Sequence, residues 1–330
     1  MKISNIMGID VSKNTLDCHL YLQRQQLDAV ANSAQGHKQL GKWLKKQCKG
    51  NMDGVLVVME HTGIYTYGLE QYLYKEGIAY VKRPALDIKR SLGMVRGKTD
   101  KADARFISKY GWMRKEELTP MKPVSDNLVE LQQLMNYRDK LVADRASYQA
   151  RIKELQGQLG GKLSSKIGES SEYVMDVLTR EIKELEEAIK ELISQDQSLV
   201  TNYELATSVT GIGFATAVHF IIATENFTRF SDARKLICYC GVAPFKHESG
   251  SSIRGKTKVS HLANKKLKCL LTMAAICAVR WDPDLKRKYE QKVAEGKPKM
   301  SVLNIIRAKL IERLFAVVKR QSKYEIRVAA

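Results

Sequence analysis

Several acids in this chain stand where a carboxylate is expensive unless a charge answers it. Asp10 lies in the run Ile6-Met7-Gly8-Ile9-Asp10-Val11, and Glu60 directly follows Val55-Leu56-Val57-Val58-Met59. Both runs read as strands, whose side chains alternate, so Ile9 and Val11 face one way and Asp10 the other. An acid in a buried strand costs several kcal/mol unless it is paired or metal-bound. Asp100 and Asp103 are spaced i, i+3 in Lys98-Thr99-Asp100-Lys101-Ala102-Asp103-Ala104, ahead of Phe106 and Ile107. On a helix they share one face. Hard oxygen ligands from three separate elements suit Mg²⁺, with Mn²⁺ as a substitute, because such ions take carboxylates, water and substrate phosphate without a complete protein cage. Ions held this way stabilise the attacking and leaving oxygens of an in-line displacement at phosphorus. By themselves, Asp100 and Asp103 also suit a solvated helix start.

The elements that must hold these acids follow from the periodicity around them. Residues 3 to about 31 alternate short apolar runs with polar breaks, the pattern of a strand meander. A helix around His37 to Cys48 comes next, then the Val55–Met59 strand with Glu60 at its carboxyl end. A helix from Tyr67 to Lys75, a strand Ile78-Ala79-Tyr80-Val81 and a helix from Asp87 to Leu92 complete an α/β layer pattern.

From about Ser125 the period changes. Leu134, Leu141, Tyr148 and Leu155 recur every seven residues; after Gly160-Gly161, the set Leu178, Ile182, Leu185, Ile189 and Leu192 steps by four and three. Lys183, Glu184, Glu186, Glu187, Lys190 and Glu191 line the outer face of the second helix. The pattern predicts two long helices forming an antiparallel coiled coil or a dimerising arm, and it equally describes a helix pair with no partner. The third segment, from Thr201, holds Thr210-Gly211-Ile212-Gly213 and a polar loop from Lys246 to Ser260, and closes on amphipathic helices. The glycine turn looks like a helix-hairpin-helix, whose glycines let backbone N–H groups approach a phosphate; a turn that merely packs two helices uses the same residues. Trp281 and Tyr289 read as core or rim aromatics rather than base-stacking platforms.

Lys and Arg number 55 against 36 Asp and Glu, a formal charge of +19. The natural partner is a polyanion. No apolar run approaches the roughly 20 residues of a membrane-spanning helix, and the residues after Met1 lead into a strand rather than a cleavable signal. The six cysteines, Cys18, Cys48, Cys238, Cys240, Cys269 and Cys277, are scattered without a disulfide or zinc spacing and read as reduced thiols in a cytoplasm. Arg254, Lys256, Lys258, Lys265, Lys266 and Lys268 form a cationic run suited to backbone phosphates, although such runs also occur as solvated faces.

Three segments carry a family resemblance: Gly8-Ile9-Asp10-Val11-Ser12-Lys13, Met59-Glu60-His61-Thr62-Gly63 and Gly97-Lys98-Thr99-Asp100-Lys101-Ala102-Asp103-Ala104. They resemble, in the same order, the three acidic motifs of the DEDD insertion-sequence transposases, relatives of the Piv invertase. The resemblance implies a RuvC-like domain of ribonuclease H fold at residues 1–120, coiled-coil dimerisation helices at 121–200 and a mainly α transposase domain at 201–330. It implies that Asp10, Glu60, Asp100 and Asp103 hold the metal. It also aligns Pro244-Phe245-Lys246-His247-Glu248-Ser249-Gly250 with a segment that supplies a serine nucleophile, Ser249, which would form a phosphoserine link and leave a free 3′ hydroxyl. Without the family, the Ser249-Gly250-Ser251-Ser252 run reads as a flexible loop.

The resemblance further implies a recombinase that moves a mobile element in the bacterial nucleoid. A structured bridge RNA would pair with target and donor DNA, and the protein would assemble from homodimers into a tetramer. Two other readings fit parts of the pattern. A Holliday-junction nuclease would use metal-activated water and no serine. An actin-like nucleotide-binding protein would use Gly8-Ile9-Asp10-Val11-Ser12 as a phosphate loop, but no second glycine-rich phosphate loop follows.

Overall fold

A computed structural model describes residues 3–91, 100–160, 164–249 and 253–326. The chain divides into two compact units, Met1–Val124 and Ser125–Ala330. In the first, β1 (Asn5–Val11), β2 (Thr15–Leu20) and β3 (Gln25–Ala31) form the meander, followed by α1 (Ala34–Gln47), β4 (Val55–Glu60), α2 (Tyr67–Lys75), β5 (Ala79–Arg83), α3 (Ala85–Ser91) and α4 (Asp100–Met113). Among the described residues the sheet order is β3-β2-β1-β4-β5. The β1–β2 and β2–β3 pairs are antiparallel, and the β1–β4 and β4–β5 pairs are parallel. This sheet is consistent with the RuvC-like expectation.

Strand alternation assigns the two faces of the sheet. Met7, Ile9, Val11, Val57 and Met59 pack in one core with Leu40 and Leu44 of α1 and Leu69 and Leu73 of α2. Ile6, Leu56, Val58 and Val81 pack in another with Ile88, Ile107 and Tyr110. Helix α4 lies directly on β1. A Cβ on Gly8 would collide with the Ser108 nitrogen and the Ala104 carbonyl, and one on Gly111 would come within 2.7 Å of Ile6 and 2.8 Å of Val58. As α4 advances from Ala104 to Gly111 its contact retreats from Gly8 to Ile6, so it runs antiparallel to β1. Its first turn therefore lies toward the carboxyl end of that strand.

The second unit begins with α5 (Asp126–Gln158), capped by the Ser125 hydroxyl, and α6 (Ser165–Ser194). These are the two expected long helices, and Arg138 ties them by donating to Glu186 at 2.6 Å. Burial is concentrated near the body of the unit, at Leu128, Leu131, Met135, Ile182, Ile189, Leu192 and Ile193. Farther out Tyr148, Leu159, Ile167 and Tyr173 are exposed. Of the seven-residue set, Leu134, Leu141 and Leu155 are half-buried and Tyr148 is exposed.

Then follow α7 (Gln197–Ser208), α8 (Phe214–Ala223), α9 (Ala233–Tyr239), β6 (Pro244–Ser249), β7 (Ile253–Val259), α10 (Lys265–Trp281), α11 (Pro283–Ala294) and α12 (Lys299–Arg320). Leu205, Phe220, Leu271, Ala275, Ile306 and Leu310 centre their shared core. Asp282, fully buried, accepts from Arg313 at 2.7 Å and Tyr324 at 2.9 Å and caps α11 through Leu285 N. The polar loop expected from Lys246 to Ser260 is instead mostly a β-hairpin, β6 pairing with β7 from Pro244↔Val259 to Ser249↔Ile253. Ile253, Thr257 and Val259 supply β-branched residues at alternate positions, a strand signal obscured by lysines and glycine. No described helix is long and apolar enough to cross a membrane.

Candidate active site

Asp10 and Glu60 are brought together by register alone. The parallel pairing of β1 with β4 runs from Asn5↔Val55 to Ile9↔Met59, and the next residue on each strand is Asp10 and Glu60. Ile9 and Met59 are fully buried in the α1/α2 core. Alternation therefore sends Asp10 and Glu60 to the opposite face, the one that carries Gly8 and α4. Both acids are half-buried. Adjacent parallel strands lie about 4.8 Å apart, so the carboxylates share one end of one face of the sheet.

The first turn of α4 lies over that end. Asp100 is the first described residue of α4, and the half-buried Asp103 lies one turn on, beside the Ala104 that contacts Gly8. The Asp100 side chain lies outside the described residues. Among the described residues no group of three His, Cys, Asp or Glu is close enough to hold a metal ion. The donor chemistry nonetheless fits a hard divalent cation: carboxylate oxygens only, partly open to water, on strand ends fixed by core packing.

Other residues at this end lacked a local sequence signal. Asp17 stands directly opposite Asp10 in the antiparallel β1–β2 register, and one of its oxygens accepts from Ala29 N at 3.1 Å. Like charges directly opposite each other repel, which adds to the demand for a cation. Arg83 is in register with Glu60, and its buried Nε has no hydrogen-bond partner among the described residues. Two residues from Asp10 toward the amino end of β1, Gly8 pairs with His19, whose Nδ1 is 2.7 Å from Ser108 Oγ on α4. Burial and then the Arg105 charge lower the His19 pKa. Only strand pairing could have joined Asp17 and Arg83 to the site.

In the second unit Ser249 is the last residue of β6, and Arg254, Lys256 and Lys258 belong to β7. The side chains of Ser249, Arg254 and Lys256 lie outside the described residues; Lys258 is exposed. Lys265 and Lys266 are exposed at the start of α10, and Lys266 donates to Asp139 at 2.6 Å. His219 reaches the same Asp139 oxygen at 2.9 Å. Burial alone would raise the Asp139 carboxyl, but the His219 and Lys266 hydrogen bonds outweigh it and bring it down to about 2. The Gly211–Gly213 turn does join two helices, α7 and α8. Gly211, at φ +92°, faces the Ala274 carbonyl of α10, where a Cβ would collide, while Gly213 is exposed at the start of α8. Tyr289 packs on the core; Trp281 is 64% exposed, with the Arg280 guanidinium 5.2 Å from its ring centre.

Known proteins resemble this chain over both units. Residues 7–159 match the DEDD transposase family of IS110 type, described as "Transposase". Residues 203–290 match the "Transposase IS116/IS110/IS902 family". The pilin gene-inverting protein of Moraxella bovis is 28% identical, and that of Moraxella lacunata 27%, each over 98% of both chains. An uncharacterized 43.6 kDa protein of insertion element IS110 from Streptomyces coelicolor is 28% identical over 48% of this chain and 40% of its own.

Proposed function

This chain belongs to the IS110-type DEDD transposases, a family of DNA-recombining enzymes, and from that premise we propose that it is an RNA-guided recombinase that excises and inserts a mobile element. The observation that carries the chemistry is the placement of Asp10 and Glu60 as neighbours on one sheet face, under the first turn of α4. Asp10, Glu60, Asp100 and Asp103 are the proposed ligands of Mg²⁺, or of Mn²⁺ in its place. A divalent cation bound there supplies positive charge to the attacking and leaving oxygens of an in-line displacement at phosphorus.

Ser249 is the proposed nucleophile. Its Oγ forms a bond to a backbone phosphorus, and the bond from that phosphorus to the 3′ oxygen breaks. The departing oxygen takes up a proton as the serine loses one, giving a phosphoserine link and a free 3′ hydroxyl. Attack by an exchanged 3′ hydroxyl on the phosphoserine restores a diester and returns the serine, so strands rejoin without an external energy source. Position at the end of a hairpin strand suits a nucleophile that must meet a duplex. Lys258, Lys265 and the exposed Gly213, with Arg254 and Lys256, are proposed to position phosphates. Lys266 shares that surface while holding Asp139. The relatives named for inverting a pilin gene support strand exchange over hydrolysis.

A structured bridge RNA paired with target and donor DNA is the proposed source of specificity, leaving the protein to read shape and phosphate. The charge of +19 supports a nucleic-acid partner. Homodimers assembled into a tetramer would let the carboxylates of one protomer serve the serine of another. The exposed Tyr148, Leu159, Ile167 and Tyr173 of the helical arm support it as the connector. The reaction belongs in the cytoplasm, on the nucleoid. The test is a nicking assay on labelled target DNA with protein and its co-expressed RNA. Cleavage should require Mg²⁺ and the RNA and should fall by on the order of 10²–10³-fold in Glu60→Gln. Cleavage that persists in EDTA, or without RNA, contradicts the reading.

A further inference from the structure

One cavity in the first unit lies outside this chemistry. It has a volume of about 620 Å³ and is lined by His19, Tyr21, Leu22, Arg24, Arg105, Phe106 and Lys109, with three cations and no acid among them. It occupies the α4 face of the sheet, starting at the Gly8–His19 pair and following β2 away from Asp10. Among the described residues, neither Arg24 nor Lys109 has an acidic partner within salt-bridge distance. Arg105 is held by a neutral group, its Nε and Nη2 donating to Gln26 Oε1 at 3.1 and 2.8 Å. Such a cavity suits a phosphodiester backbone.

His19 adds a requirement that phosphate cannot meet. Ser108 Oγ donates its only proton to the Arg105 carbonyl at 2.8 Å. With that proton on the carbonyl, the hydroxyl accepts from Nδ1–H at the 2.7 Å contact with His19, the tautomer in which Nε2 is the acceptor. Nε2 is left as a lone-pair acceptor, and the 8% exposed ring lines the cavity. Directly across the β2–β3 pair stands Gln26, whose Oε1 holds the Arg105 guanidinium at the cavity. Beside its cations the cavity thus offers one acceptor, His19 Nε2. A ribose 2′-hydroxyl both donates and accepts, next to a phosphate; deoxyribose offers neither.

We infer that this cavity holds the sugar-phosphate backbone of an RNA strand, with His19 Nε2 accepting from a ribose 2′-hydroxyl and Arg24, Arg105 and Lys109 facing its phosphates. The inference rests on the RNA partner proposed above and assigns it a place and a discriminating residue. Full-length protein is titrated into a labelled mixed-sequence RNA oligonucleotide, the DNA of the same sequence, and the RNA carrying 2′-O-methyl groups, which cannot donate. RNA should bind about tenfold tighter than DNA, the worth of one or two hydrogen bonds, and the methylated strand should fall to the DNA level. His19→Phe should bring RNA to the DNA level without changing DNA binding. His19→Gln, which returns an acceptor, should keep part of the preference. Arg24→Gln with Lys109→Gln should weaken both strands and flatten the salt dependence. Equal affinity of the unaltered protein for the three strands, tighter binding of DNA, or an RNA preference that survives His19→Phe overturns the inference. Should His19→Phe fail to fold, the methylated strand on unaltered protein decides. RNA-dependent nicking that persists when this preference is absent sinks only the assignment of the cavity.

Discussion

Asp10 and Glu60 owe their proposed role to charge, so variants that keep their shape separate chemistry from fold. Asp10→Asn and Glu60→Gln are each expected to lower DNA cleavage by on the order of 10²–10³-fold, in line with loss of one electrostatic contact to a transition state. Asp139 gives a pH prediction. Its carboxyl is held at about 2, below the ordinary value, so its stabilisation is complete above about pH 4 and is lost as pH falls through about 2. In urea unfolding, Asp139→Asn should cost about 2 kcal/mol at pH 7, a penalty that shrinks toward zero across that acid window. Asp10 and Glu60 were legible in the sequence because an acid breaks an apolar strand run. Asp17, Arg83 and the His19–Ser108 contact were not, because register and tertiary packing make those neighbours.

At the scale of elements, the site depends on how closely α4 approaches β1. Gly8 permits that approach, since a Cβ there meets the backbone of Ala104 and Ser108. Gly8→Val should lift the first turn of α4 from the strand, costing about 1–3 kcal/mol as overpacking. Nicking should fall further than the stability loss explains, when both are measured below the melting temperature. The strands and helices of the first unit were legible because apolar alternation and a helical period follow one another there. The β6–β7 hairpin was not, because lysines and Gly255 interrupt the β-branched alternation of Ile253, Thr257 and Val259 and make the segment read as a loop. The long helices were legible from their seven-residue spacing, but that spacing could not say that the outer half would expose Tyr148 and Tyr173.

For the whole molecule, the proposed metal ligands and the proposed nucleophile Ser249 belong to different units, so the proposed reaction requires both units in one assembly. If different protomers supply them, mixing Asp10→Asn protein with Ser249→Ala protein should restore part of the cleavage that each lacks alone; a mixture as inert as its components contradicts a shared site. The central claim is that a metal-dependent carboxylate site and Ser249 act in one reaction on DNA. Its most direct measurement is an SDS gel of labelled DNA incubated with protein, co-expressed RNA and Mg²⁺, followed by peptide mapping of any retained label. An SDS-stable adduct is expected that maps to Ser249, requires Mg²⁺, and disappears in both Asp10→Ala and Ser249→Ala. Nicked DNA with no adduct, or an adduct that survives both substitutions, would contradict it.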